Sequence, residues 1–237
     1  MGLQLGYHLL NFAVIILVLF IGFKAIAGAF GKTPKAKRKK SLLIICLMLW
    51  QFYIFGLGKT DLLSSFELPP RFAIFLIAPA FLFTGIFIYK NRNNKWLHHI
   101  PKSWLVYLQS FRILVETLFV FSIAQGVLHP NVTIEGYNFD MILGFTAPLV
   151  AFFAFEKKLI SEKMVVTWNY LGLLVLTSVI FVFITTVFFP SFYGSTEHLM
   201  PIEFTKYPYT LIAGFLMPVA VFMHILSIVQ LGKTRNS

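Results

Sequence analysis

The sequence predicts an all-α fold, a polytopic membrane protein built as a seven-transmembrane-helix bundle. Composition, apolar run length and charge placement each point that way. Hydrophobic residues fill 58% of the 237 positions and charged residues 12%, where a soluble domain is about a quarter charged. Mean hydropathy is +0.79, which belongs to the membrane class. The apolar residues gather in runs near the ~20 residues a spanning helix needs. Cations crowd alternate linkers. No stretch between the runs is long enough for a soluble domain of its own, so 1–237 reads as a single transmembrane domain.

The first run is Tyr7–Phe30. It follows neither a basic leader nor a small-residue cleavage motif, so it reads as a retained helix. The basic stretch KTPKAKRKK comes next. It reads as a topology determinant or as an anionic-lipid contact. Lys24 lies near the cytoplasmic end of the first run and can snorkel. The second run, Ser41–Leu57, is short and holds Cys46, the only cysteine. No disulfide within the chain and no thiolate metal site are expected.

The third run is Phe72–Tyr89, the fourth Trp104–Leu128 and the fifth, also short, Phe139–Phe155. The sixth is Val166–Phe189 and the seventh Tyr209–Leu231. Three prolines fall inside runs. Pro79 frees the carbonyl of Phe75, Pro148 that of Gly144 and Pro218 that of Gly214. Such breaks are tolerated in a membrane when they pack against protein or line a wet cavity. The third run reads PPRFAIFLIAPAFLF and the seventh YPYTLIAGFLMPVAVF, each with an early proline and a second one nine or ten residues on. A layout of three helices, an inverting one and three more is that of parallel-repeat transporters. The first run has no proline to match Pro148.

Charge sets the orientation. Fifteen cations fall on the linkers after runs one, three, five and seven, from Lys32 through Lys95 and Lys163 to Lys233 and Arg235. The opposite linkers carry three, Lys59, Arg71 and Lys206. The positive-inside rule places the N-terminus outside and the C-terminus in the cytoplasm, here of a bacterial cytoplasmic membrane. The formal charge of +11 is therefore a topology signal. No nucleic-acid partner is expected.

The fourth run carries the polar groups that matter most. Gln109, Arg112 and Glu116 fall within roughly 60° on a helical wheel. Arg112 and Glu116, spaced i, i+4, are placed to pair along one face. Charges at membrane depth are costly and turn inward. The stripe reads as a structural ion pair or as a substrate, ion or proton site. In the latter, Arg112 holds an anionic group and Glu116 pairs with it or carries a proton. Trp168 suits the inner interface. Asn169 reads as an interhelical hydrogen bonder. His224 reads as a satisfied core histidine or as a partner of Arg112 or Glu116.

On the outer side, Glu135, Asn138 and Asp140 cluster before the fifth run, where acids favour a helix N-terminus. Asn131-Val132-Thr133 matches a glycosylation sequon. His8, His129 and His198 also fall outside, without metal-ligand spacing, so no metal is expected. No cofactor is expected either. The last run has no lysine for a retinal, and receptor motifs and the Ser, Asp and His set of seven-helix lipid hydrolases are absent. There is no phosphate-binding glycine loop.

QSFRILVE, TIEGYNFDMILGFTAPLVAF, WNYLGLLVL and FLMPVAVFMHILSIVQL together resemble an uncharacterised bacterial family of seven-helix integral membrane proteins. The resemblance covers about Pro69 to Leu231. It implies Arg112, Glu116, Glu135, Asn138, Asp140, Pro148, Trp168, Asn169, Pro218 and His224 as the positions to test, and it implies no substrate.

The function expected first is a small transporter or channel-like carrier, with a mid-membrane polar site on the fourth run for a small molecule or ion. The alternatives are a membrane-embedded enzyme acting on a lipid or isoprenoid, and a non-catalytic sensor or assembly subunit. The first separates from the others by a polar cavity open to one face. The expected partners are the lipid bilayer, that unknown ligand and a second copy of the chain.

Overall fold

A computed structural model describes residues 2–233. Among them there is no strand, and the helices form one bundle. Arg235, one of the cations counted for orientation, lies outside the described residues.

Helix α1 runs Gly2–Phe30 and α2 runs Pro34–Lys59. The basic stretch is thus not a loop, as expected, but the first turns of α2. Thr33 caps them, its hydroxyl accepting from Ala36 N–H at 3.3 Å, and Pro34 takes the first turn, where its missing N–H costs little. Lys35 and Lys39 lie over the Phe30 ring and Lys40 over Phe23.

Helix α3 spans Ala73–Asn91 and α4 spans Lys102–Ala124. Helix α5, Asp140–Ala151, continues through a wide π turn, Phe152–Glu156. Helix α6 runs Glu162–Phe188, capped by Ser161, and α7 spans Ile212–Gly232. All but α5 are long and apolar enough to cross a membrane, which makes six among the described residues where the sequence predicted seven. The chain is a multi-pass helical bundle. Helix α7 is the most buried of the six and α2 the least. Large apolar side chains such as Leu49 and Phe52 lie exposed on α2, a surface suited to lipid and not to water.

The breaks at Pro79 and Pro218 are met by wide turns and by α2. A π turn, Ala73–Ile77, precedes Pro79, and another, Ile212–Leu216, precedes Pro218. The Tyr53 hydroxyl donates to the freed carbonyl of Phe75 at 2.6 Å, and the Trp50 indole N–H donates to that of Gly214 at 2.9 Å. A peripheral helix thus supplies the donors that two broken helices lack. The likeness between the third and seventh runs extends to these turns and carbonyls. The two turns also meet, since a Cβ on Gly214 would stand 2.8 Å from Leu76.

Helices α4 and α5 are antiparallel neighbours. A Cβ on Gly144 would stand 2.9 Å from Ile113 and 3.3 Å from the Cβ of Arg112, so only glycine lets the two backbones come this close. Asp140, one turn earlier, therefore starts α5 level with Glu116. Helix α4 continues to Ala124, about 12 Å farther at 1.5 Å per residue. That is why α5 is short. Gly126, at φ 68°, turns the chain back, and the 125–139 connector fills the remaining height. Val127, Leu128, Val132 and Thr133 are buried there.

Candidate functional site

The connector and the start of α5 bring the two polar clusters predicted from sequence into contact. Arg112 Nη1 lies 3.3 Å from Asp140 Oδ1. Glu116 faces the connector, where Ile134 N–H donates to its Oε2 at 3.3 Å and the Asn138 amide donates to its Oε1. The same amide donates to Val132 O at 3.1 Å, and its oxygen accepts from Asp140 N–H at 2.9 Å. Every polar atom of the Asn138 side chain is engaged. The side chain locks the connector to α4 and opens α5.

Two expectations need correction. Arg112 and Glu116 share a face, but among the described residues no ion pair joins them. Arginine followed by glutamate four residues on is the less favourable order for such a pair. Glu116 is taken up by the connector instead, through Ile134 N–H and the Asn138 amide, and Arg112 meets Asp140 at the start of α5. Glu135, grouped with Asn138 and Asp140 in the sequence, is exposed. One sequence cluster thus divides, because the connector buries Asn138 and Asp140 and turns Glu135 out.

The guanidinium is 1% exposed, yet Nε, Nη1 and Nη2 all lack a hydrogen-bond partner among the described residues. Asp140 Oδ1 lacks one too. The ion pair is close in distance but is not aligned for hydrogen bonding. Arginine carries five donors in a planar fork, and buried donors left unmet are costly. These groups face a cavity of about 40 Å³, whose wall includes Arg112, Asn138, Asp140, Phe119 and Leu176. The Gln109 amide donates to Ala220 O at 3.0 Å, tying α4 to α7 beside it.

No protein family, curated protein or solved structure matches the chain.

Asn169 and His224 form a second, inner cluster outside the cavity. The Asn169 amide donates to Val165 O at 2.8 Å and to Ser227 Oγ at 3.1 Å. Its oxygen therefore accepts, which assigns the His224 proton to Nδ1, 2.8 Å away. His224 Nε2 faces α6, since a Cβ on Gly172 would stand 2.4 Å from it. His224 meets Asn169 rather than forming the hydrogen bond to Arg112 or Glu116 considered from sequence. Trp168 packs on His224 and donates to Thr146 Oγ1 at 3.1 Å.

The outer histidines disperse. His129 accepts from Asn131 N–H at 3.3 Å, His8 lies by Tyr207 and His198 by Phe66. Sequence reasoning missed the donors Trp50 and Tyr53 and the apolar cavity wall. Aromatic residues in an apolar run carry no signal of which carbonyl they reach.

Proposed function

We propose that the chain is a small membrane carrier that binds an anionic group of its solute through Arg112. One observation carries the reading: a fully buried guanidinium whose donors are unmet faces a cavity inside the bundle. A charge so placed needs acceptors, and a carboxylate or comparable oxyanion matches its fork in two parallel bonds. Two neighbours favour the same ligand. The α5 N-terminus opens at this level, and the helix dipole there favours negative charge. Glu116 is occupied by Asn138 and Ile134, and Asp140 stands 3.3 Å from Arg112 without a hydrogen bond to it, so a bound anion shares the guanidinium with Asp140 alone.

In this reading α5 is a seventh, shortened crossing that starts part-way down the bundle and is completed by the connector. Broken helices that end at a solute site are a recurrent carrier design. The N-terminus lies outside and the C-terminus inside a bacterial cytoplasmic membrane, in the seven-helix family that the QSFRILVE and EGYNFD motifs resemble. Among the described residues the wall holds no nucleophile-and-base pair, which favours carriage over chemistry.

The test is flux. Protein reconstituted into liposomes should release small organic anions down their gradient. Arg112→Gln vesicles, matched for folded protein, should do so at least tenfold more slowly. Equal flux through both would end the proposal.

A further inference from the structure

A second cavity, of about 50 Å³, adjoins the first. Its wall is apolar and aromatic, drawn from α3, α6, the connector and the start of α7, with Phe72, Ile77, Ile180 and Phe183 among its residues. Both cavities share Phe119, Val179, Ile212 and Met217 as wall. Two of these, Ile212 and Met217, bracket the wide turn of α7. Such turns recur at functional sites because they displace side chains from regular helix positions. The two cavities are neighbours across these shared side chains, one with charged groups in its wall and the other lined by hydrocarbon.

We infer that the ligand is an amphiphilic acid, with a carboxylate or similar anionic head on Arg112 and a short apolar chain in the slot between α3, α6 and α7. This deepens the reading of Arg112 as an anion-binding group and rests on it. The unmet donors of Arg112, and not net charge, fix the head, since Asp140 lines the same cavity. A fork with unmet donors takes an oxyanion and not an amine or a hydrocarbon. The wall fixes the tail, because a purely inorganic anion would leave the adjoining apolar slot unused. The volume fixes the size. Two small cavities take a short or aromatic acid and not the paired chains of a phospholipid.

Purified protein in a nonionic detergent, titrated calorimetrically with acetate, butyrate, hexanoate, octanoate and benzoate, tests this directly. Affinity should rise about fourfold per methylene until the slot is full, the ratio that ~0.8 kcal/mol per buried CH₂ corresponds to. The matching alcohols and amines should bind at least tenfold more weakly. Ile180→Trp, which narrows the slot alone, should flatten the chain-length series while leaving acetate unchanged. Arg112→Lys, which keeps the charge but loses the fork, should weaken the whole series about tenfold.

Acids that bind with no dependence on chain length would overturn the amphiphile and leave the anion site standing. Alcohols that bind as well as acids would overturn it too. So would preferential binding of phosphatidylglycerol. If no acid binds the wild-type protein, the anion reading itself fails and the amphiphile with it. A full chain-length series with no flux in liposomes would keep the ligand and remove the carrier.

Discussion

Asn138 does more at this site than its size suggests. It holds Glu116, Val132 O and the first N–H of α5 at once. Asn138→Ala strands a buried carboxylate oxygen and should cost about 1–3 kcal/mol. Glu135→Ala, three residues away and exposed, should stay within about 0.5 kcal/mol. Thermal melts in detergent compare the two, and equal midpoints would sink the distinction. Arg112 and Asp140 are a stronger pair to test. Arg112→Gln leaves a buried acid without its cation, a loss of roughly 3–5 kcal/mol. Arg112→Gln with Asp140→Asn should cost less than the two single changes added together, since both remove one interaction. Strict additivity in a double-mutant cycle would mean the two do not interact.

Among the elements, α2 and α5 differ most from what their sequences suggest. Helix α2 lies at the edge of the bundle, yet Trp50 and Tyr53 complete two helices broken by proline. Trp50→Phe should cost about 1–3 kcal/mol by leaving the Gly214 carbonyl unmet. In a Pro218→Ala background the same change should cost much less, because residue 218 then supplies its own N–H. An undiminished cost would mean that packing, not the carbonyl, is what Trp50 supplies. Helix α5 is short because glycine lets it approach α4 side by side and the connector takes the rest of the height. Gly144→Leu should separate the two helices, cost at least the 1–3 kcal/mol typical of overpacking and weaken acid binding together with the fold. A normal melt with normal binding would show that the close approach is dispensable.

For the whole molecule, the uneven distribution of cations predicts which ends face outward. In a Cys46→Ser background, an impermeant thiol reagent on intact cells should label Glu135→Cys and miss Asn94→Cys until the membrane is opened. The reverse pattern would invert the topology and put the Arg112 cavity nearer the cytoplasm. The exposed apolar belt and the buried polar centre divide the molecule in the same way. Leu, Phe and Ile side chains lie exposed on the outer faces, and Arg112, Glu116 and Asp140 are buried in the interior.

Much of this was legible in the chain itself. Apolar run length marked the helices because a bilayer demands a minimum span, and the starts of α2 and α6 moved outward to the capping residues Thr33 and Ser161. Arg112 and Glu116 were visible because charge in an apolar run has no bland solvent to explain it. Their partners were not visible. Which side chain a buried arginine meets depends on the depth at which another helix begins, and α5 begins where a glycine and a folded connector place it. The cavity, the split between Asp140 and Glu135, and the carbonyls met by Trp50 and Tyr53 are long-range facts. They follow from how helices pack against one another, which periodicity along a single helix does not encode.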